Sequence, residues 1–169
     1  MESHLNRSEL SEPMGMKEIQ AIQQNRFPSY FIDRVEELIP GEKATGFKNF
    51  TANEWFFPTH FPGDPTVPGY ILVEAATQMF LMTFLSLKDY GGLRTSFISI
   101  EQFSFRRKVV PGDRLELSAE LHDLRRGIAK GKVIGNVDGK LAISGILTVG
   151  IPKVTDEIFQ AIKLKVSDK

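Results

Sequence analysis

Apolar positions are concentrated in one segment of the chain, residues 70–87, which follows a loop rich in proline and glycine. From Tyr70 onward there is no Gly or Pro until Gly91, and Pro68 suits the first position of a helix, where its missing N–H is not needed. This pattern predicts a helix over residues 68–88. Because apolar residues lie nearly all round it, the helix is expected to be either buried or membrane-spanning.

A membrane span is the weaker of these two interpretations. The segment is near the minimum length for crossing a bilayer, which is roughly 17–20 residues. It contains one carboxylate, Glu74, and a carboxylate near the centre of a span costs about 2.5–3.5 kcal/mol. No cluster of Lys or Arg flanks either end. We therefore predict a central core helix and no membrane span.

Glu74 is the only charged side chain between Asp64 and Lys88. An ionised carboxylate is costly to bury without partners, so Glu74 must be paired, reach water or take part in chemistry. At a spacing of four residues, Tyr70, Glu74 and Gln78 share one face of the predicted helix. This polar stripe marks a candidate functional site.

The rest of the chain shows mainly β patterns. The predicted strands cover residues 41–51, 95–110, 114–124, 128–137 and 140–151. Asp138-Gly139 joins the last two, and this dipeptide is a strong signal for a two-residue hairpin. In the second strand, Phe103 and Phe105 alternate with polar residues, which predicts one buried face and one wet face.

Two shorter helices are predicted towards the chain ends. Residues 16–24 have helical spacing, and residues 155–165 form an amphipathic pattern with Thr155 as the N-cap. Residues 26–35 are a loop that enters an extended segment. The order helix, strand, long helix and four strands in a meander predicts an α+β fold, with one antiparallel sheet wrapped around the long helix.

We expect a single domain. The chain has 169 residues, which is enough for one core, and it contains no internal repeat. The domain is predicted to cover residues 16–152. Residues 1–15 are polar and unpatterned, as in a disordered N-terminal tail, and residues 153–169 form a C-terminal tail that can be helical.

Composition and charge narrow the classes of function. The chain carries 21 Lys or Arg and 21 Asp or Glu residues, so its formal net charge of zero predicts no general attraction to nucleic acid. It has no cysteine, which excludes disulfides, thiolate nucleophiles and Cys-based zinc sites. The N-terminus lacks the features of a secretory signal, so we expect a cytoplasmic protein. Thirteen Phe residues either fill the core or line an apolar tunnel for an acyl chain.

The loop and the start of the long helix carry a recognisable motif. Residues 60–78, HFPGDPTVPGYILVEAATQ, resemble the signature of the FabZ-type (3R)-3-hydroxyacyl-acyl carrier protein dehydratases, HFPG-x-P-x-x-PG-x-x-x-x-EA-x-x-Q. Other segments resemble further blocks of the same family: RFPSYFIDRV at 26–35, NEWFF at 53–57 and FSFRRKVVPGD at 103–113. Glu74 favours the FabZ type over the related FabA type, which carries Asp there. In one departure, Asn25 stands where the family usually has a His before RFP.

The resemblance covers about residues 16–150 and implies a hotdog fold, with chemistry that needs no metal or other cofactor. It also implies a substrate carried on acyl carrier protein. In this family the active sites lie at a homodimer interface, so His60 of one subunit would act with Glu74 of the other, in a dimer or a trimer of dimers. Basic residues at 106–108 and 125–126 either form a mouth for the acidic carrier protein or are solvated strand ends.

Dehydration of a 3-hydroxyacyl thioester requires a base, an acid and a donor for the thioester oxygen. His60 suits the base, because imidazole changes its protonation near neutral pH. Glu74 suits the acid, because an apolar wall favours the protonated carboxyl. Gly69 lies in the first turn of the predicted helix, where its N–H is free to serve an oxyanion. Tyr70 and Gln78 complete the predicted substrate-binding face, and Gln78 either positions Glu74 or bonds elsewhere.

Two other classes of function stay open at this point. A hotdog acyl-thioesterase would use a helix carboxylate to activate water, but would not need HFPG ahead of it. A non-catalytic module that binds acyl chains or carrier protein would not need both His60 and Glu74. His122 lies beside Asp123 and is expected to form a surface pair rather than a site.

Overall fold

The computed structural model describes residues 12–157. Its elements are α1 (Met16–Ile22), β1 (Arg34–Ile39), β2 (Lys43–Asn49), α2 (Gly69–Leu85), β3 (Ser96–Phe105), β4 (Arg114–Arg125), β5 (Ile128–Val137) and β6 (Lys140–Gly150). The six strands form one antiparallel sheet in the order β1-β2-β4-β5-β6-β3, and α2 packs against it. The predicted α+β architecture, a sheet around one long helix, is confirmed.

Helix α2 forms the centre of the core. It begins directly after Pro68 and ends at Leu85 rather than at residue 88, and every residue from Ala75 to Leu85 is buried. Gly131 of β5 lets Phe80 pack against the sheet, since a Cβ there would lie 2.4 Å from the Phe80 ring. Within residues 12–157, no helix combines the length and the apolar character needed to cross a membrane.

The predicted four-strand meander is wrong at its first step. Strands β4, β5 and β6 follow one another in the sheet, but β3 pairs with β6 and not with β4. The connecting segment, residues 106–113, is too long for a tight hairpin and crosses one end of the sheet. Its Arg106 N–H donates to the Ala142 carbonyl of β6, and its Gly112 N–H donates to the Phe50 carbonyl after β2. The opposite edge is β1, which the sequence predicted only as an extended segment.

Strand β3 is an edge strand, and its apolar side chains face solvent except that of Phe103, which is partly buried against the core. The prediction of one buried and one wet face is wrong, because none of its residues is buried within the described chain. Phe97, Ile98, Ile100 and Phe105 are 47–55% exposed. The strand also ends at Phe105 rather than at residue 110. A long apolar edge of this kind is a template for pairing with another chain.

Both ends of the described chain differ from the predicted boundaries. Met14, which the prediction placed in the tail at 1–15, exchanges both backbone hydrogen bonds with Val35 of β1. Residues 152–157 are helical, so the predicted N-cap at Thr155 is wrong: its N–H donates to the Ile151 carbonyl from inside the helix. The rest of the predicted C-terminal helix, and residues 1–11 of the predicted tail, lie outside the described residues.

Candidate active site

Glu74 lies on α2, and one of its two carboxylate oxygens accepts hydrogen bonds from other side chains of the chain. Its Oε1 accepts hydrogen bonds from Asn25 Nδ2 at 3.0 Å and from Gln78 Nε2 at 2.8 Å. Among residues 12–157, Oε2 has no hydrogen-bond partner. The residue is half-buried, so the carboxyl is partnered on one side and open on the other.

Gln78 is fully buried, and the orientation of its amide is fixed. Its Oε1 accepts the Phe31 N–H at 2.8 Å, while its Nε2 donates to the Ser29 carbonyl at 2.8 Å and to Glu74. A backbone N–H only donates and a carbonyl only accepts, so the amide cannot be flipped. The sequence left open whether Gln78 contacts Glu74 or bonds elsewhere. In the structure it does both, because its amide bonds to Glu74 and also to the backbone of residues 29 and 31.

Two cavities flank Glu74. The larger has a volume of about 640 Å³ and a mostly apolar wall that includes Phe97, Ile100 and Tyr70. Tyr70 is 61% exposed. The smaller has a volume of about 150 Å³ and includes Asn25 and the hydroxyl-bearing Thr77 in its wall. The larger cavity is therefore the one that suits an alkyl chain.

His60 lies in the turn-rich loop before α2 and is held in one tautomer. Its Nδ1 lies 2.8 Å from the Thr66 carbonyl oxygen. A carbonyl oxygen only accepts, so Nδ1 carries the hydrogen and Nε2 keeps a free lone pair. The ring also stacks on Phe61 with 4.1 Å between the centroids. The free Nε2 is the atom that can take a proton from a ligand.

His60 and Gly69 line a third cavity, of about 360 Å³, together with Phe105. Gly69 is the first residue of α2, and its N–H makes no backbone hydrogen bond within residues 12–157. A Cβ at Gly69 would lie 3.2 Å from the Phe105 ring, so a larger residue would press on this wall. Glu74 does not line this cavity. One chain thus groups His60 with Gly69 and, separately, Glu74 with Tyr70 and Gln78.

The loop that carries His60 is tied to β2 by a partly buried ion network. Lys48 Nζ lies 3.1 Å from Asp33 Oδ1 and 3.2 Å from Glu54 Oε1, and the lysine side chain is 12% exposed. Asp33 Oδ2 also accepts the Asn49 N–H at 2.7 Å. Since Glu54 lies in the turns that lead to His60, the network holds the start of this loop against the sheet.

The basic residues of the predicted mouth fall into two groups at opposite ends of the sheet. Residues 106–108 line the His60 cavity, and Arg107 Nη1 donates to the Val137 carbonyl at the end of β5. Arg125 and Arg126 lie at the turn before β5. The length of β5 separates the two groups by about 30 Å. Only the first group adjoins the candidate site.

Sequence reasoning missed two contacts of the site. The Thr66 carbonyl that fixes His60 is a backbone group and has no sequence signal. The donor to Glu74, Asn25, had one signal, its position directly before the RFP motif. His122 was expected beside Asp123, but its Nε2 lies 4.0 Å from Glu120, because alternate residues of a strand share a face. Within residues 12–157, no group of three or more His, Asp or Glu side chains could hold a metal ion.

Comparison with known proteins places this chain in a family. Residues 25–146 match the FabA-like domain. The 3-hydroxyacyl-acyl-carrier-protein dehydratase FabZ of Clostridium novyi is 44% identical over 130 residues, which cover 77% of this chain and 92% of that protein. The protein of the same name from Ligilactobacillus salivarius is 44% identical over 135 residues, which cover 80% and 96%.

Solved structures share the fold at low sequence identity. The dehydratase heterocomplex ApeI:P from Xenorhabdus doucetiae has a TM-score of 0.69 at 12% identity, over 85% of this chain and 96% of that chain. The TT0310 protein from Thermus thermophilus has a TM-score of 0.51 at 24% identity, over 69% and 88%.

The sheet around α2 and the matched domain define the class, a hotdog-fold protein with a FabA-like domain. The relatives define the branch, since they match nearly their whole length at 44% identity. The chain belongs to the FabZ family of 3-hydroxyacyl-acyl-carrier-protein dehydratases.

Proposed function

We propose that the chain dehydrates (3R)-3-hydroxyacyl groups carried on acyl carrier protein to trans-2-enoyl groups, in fatty-acid or related acyl-chain biosynthesis. The observation that carries this proposal is the pairing of a free imidazole nitrogen, His60 Nε2, with a free helix N–H, that of Gly69, in one cavity. A base beside an oxyanion donor is the arrangement that proton abstraction next to a carbonyl requires. The dehydratase relatives support the same reaction.

His60 is the base in this mechanism. Its Nδ1–H is engaged by the Thr66 carbonyl, so Nε2 accepts the proton from the carbon next to the thioester carbonyl. Negative charge then develops on the thioester oxygen. The Gly69 N–H stabilises it from the positive end of the α2 dipole.

Glu74 is the acid. A proton on Oε2 passes to the 3-hydroxyl group, the C–O bond breaks, and water leaves as the carbon–carbon double bond forms. The step leaves an imidazolium at His60 and a carboxylate at Glu74, and proton exchange with solvent restores both groups. Tyr70 and the apolar wall of the larger cavity contact the acyl chain.

The two halves of the site meet between subunits in this proposal. Phe97 and Ile100 of β3 line the Glu74 cavity, and Phe105 of the same strand lines the His60 cavity. Both cavities therefore border the free edge strand. Pairing of β3 with its copy would bury the exposed apolar edge and bring His60 beside Glu74 of the partner subunit. The proposed assembly is a homodimer or a trimer of such dimers.

Acyl carrier protein is the proposed partner at the mouth of the His60 cavity. Arg106 has no ion-pair partner among residues 12–157, whereas Arg107 lies 3.9 Å from Asp138 and Lys108 pairs with Asp64. Three basic side chains and two acidic partners leave this cluster with a net positive charge, which would attract an acidic partner. Location in the cytoplasm stays a prediction.

Turnover of 3-hydroxyacyl-carrier substrates of several chain lengths tests the proposal, with enoyl thioester and free thiol followed in parallel. Enoyl product from the wild type, and none from His60→Ala or Glu74→Gln, is the expected result. Free thiol in place of enoyl product would indicate a thioesterase. Carrier binding without any product would indicate a binding module. Either of these outcomes would overturn the proposal.

A further inference from the structure

Asn25 contacts the proposed acid from a distant part of the sequence. Its Nδ2 donates to Glu74 Oε1 at 3.0 Å, across 49 residues of chain. Gln78 Nε2 donates to the same oxygen at 2.8 Å. Amide N–H groups cannot accept a hydrogen bond, so a proton on Oε1 would face two donors. The neutral carboxyl must therefore carry its proton on Oε2.

The backbone at Asn25 is fixed by its neighbour in sequence. Arg26 Nη1 donates to the carbonyls of Gln23 and Asn25, each at 2.8 Å, and its Nη2 donates to the Gln20 carbonyl at 2.8 Å. The bonds to Gln20 and Gln23 satisfy carbonyls at the end of α1, as a basic side chain does at a helix C-terminus. The amide of Asn25 is thus presented to Glu74 from an ordered segment.

We infer that Asn25 is a positioning residue for Glu74. With Gln78 it holds Oε1, so that Oε2 is the oxygen that exchanges the proton with the substrate. The inference rests on the proposed function, in which Glu74 is the acid. An asparagine amide does not titrate, so this hold is the same at every working pH, whereas histidine at the same position would change its charge near neutral pH.

The groups around Glu74 allow the positioning role of Asn25 to be tested by varying the pH. Among the described residues that line the two cavities beside Glu74, Tyr70 is the only other titratable side chain, and Arg94 lines a further cavity with Asn25. In the proposed dimer, His60 of the other subunit also faces Glu74. A new ionisation placed at residue 25 is therefore read from the ratio of two variant rates at each pH, because the ionisation of His60 is common to both rates and cancels. This ratio would report on the contact itself rather than on the stability of the fold.

The test measures kcat and KM for enoyl formation from about pH 5 to about pH 9 with the full chain. We expect Asn25→Ala to lower kcat roughly tenfold and to change KM by less than about threefold, because one hydrogen bond to a charged group is lost. The matched control is Gln24→Ala, whose amide contacts the Gly92 carbonyl at 2.6 Å instead of Glu74. Its kcat is expected to stay within about twofold of the wild type.

Two further variants separate positioning from folding. Asn25→Asp preserves the shape and should be slower than Asn25→Ala at neutral pH, because its carboxylate accepts where Asn25 donates and so draws the Glu74 proton to Oε1, away from the substrate. Its activity relative to Asn25→Ala should rise as the pH falls, since a protonated carboxyl regains a donor. The ratio of the Asn25→His rate to the Asn25→Ala rate should change with an inflection at about pH 6.5.

Several results would overturn the inference. One is wild-type kcat in Asn25→Ala. Another is a constant ratio of Asn25→Asp to Asn25→Ala at every pH, which would mean that the contact is merely structural. A wild-type chain that forms no enoyl product would overturn the proposed function, and the inference with it. An active wild type with insensitive Asn25 variants would overturn the inference alone.

Discussion

The two halves of the candidate site are supported in different ways. Glu74 lies on the buried helix α2, and one of its two hydrogen-bond donors, Asn25, comes from a segment 49 residues away. His60 lies in a loop, and its ring is bonded to Thr66, six residues further on. The Glu74 half therefore depends on the tertiary fold, and the His60 half depends on local turns and on the Lys48 network that holds their start.

In the proposed mechanism, neither half is complete alone. The Glu74 cavity holds the proposed acid and an apolar wall, and the His60 cavity holds the proposed base and a free N–H. Both lie against β3, the edge strand with exposed apolar side chains. In the proposed assembly a second copy of the chain completes the site, and mixing of variants tests this directly.

The largest expected effect is loss and recovery of activity in mixed variants. His60→Ala and Glu74→Gln should each lower kcat by about a thousandfold or more, because each removes one proton carrier. If subunits exchange freely, half of the dimers are mixed, and each has one intact site. Activity should then recover to about one quarter of the wild-type value. The measurement is enoyl formation after the two inactive variants are unfolded and refolded together.

The control for this experiment is the same pair of variants refolded separately and mixed afterwards. Little recovery is expected there if the subunits exchange slowly. No recovery after joint refolding, with normal dimer formation, would mean that His60 and Glu74 act within one chain. The division of the site between subunits would then be wrong.

The two halves also differ in how well the sequence predicted them. The apolar run and Pro68 predicted α2 to within a few residues, since burial all round leaves a strong pattern. Alternation in 95–110 predicted a strand but not its neighbour, because a period of two residues says nothing about pairing. Its predicted buried face depended on what covers β3, which a single sequence does not encode. Asn25 was missed as a donor because a contact across 49 residues has no local pattern.

The second prediction concerns the edge strand that borders both halves. Replacing Ile98 and Ile100 together by Lys should place charge on the apolar edge of β3 and give a monomer. Activity should fall about a hundredfold, because neither cavity is then completed by a partner. The control is Leu141→Lys, at a residue of similar exposure outside β3. Light scattering would measure the assembly, and a dimer with full activity would contradict the proposed role of β3.

The third prediction concerns the ion network under the His60 half. Lys48→Met should lower the free energy of unfolding by about 2 kcal/mol, since it leaves the Asp33 and Glu54 carboxylates without their partner. Lys43→Met on the same strand removes an exposed ion pair with Glu37. It should change the free energy of unfolding by less than about 0.5 kcal/mol. Urea unfolding of both variants measures the difference. Equal effects would mean that the network does not hold the loop.

The smallest expected effect concerns Tyr30, which lies between the two residues that bond to Gln78. Burial, with the nearby Asp33 charge as a second cause, raises the pKa of Tyr30 to about 12, and its hydroxyl has no partner within the described chain. The unfolded chain loses this proton near pH 10 and the folded chain does not, so stability should fall as the pH rises from about 10 to about 12. Partial exposure limits the loss to about 1 kcal/mol. Tyr30→Phe should abolish it, whereas Tyr90→Phe should retain it, and denaturant midpoints at neutral and alkaline pH would distinguish the two.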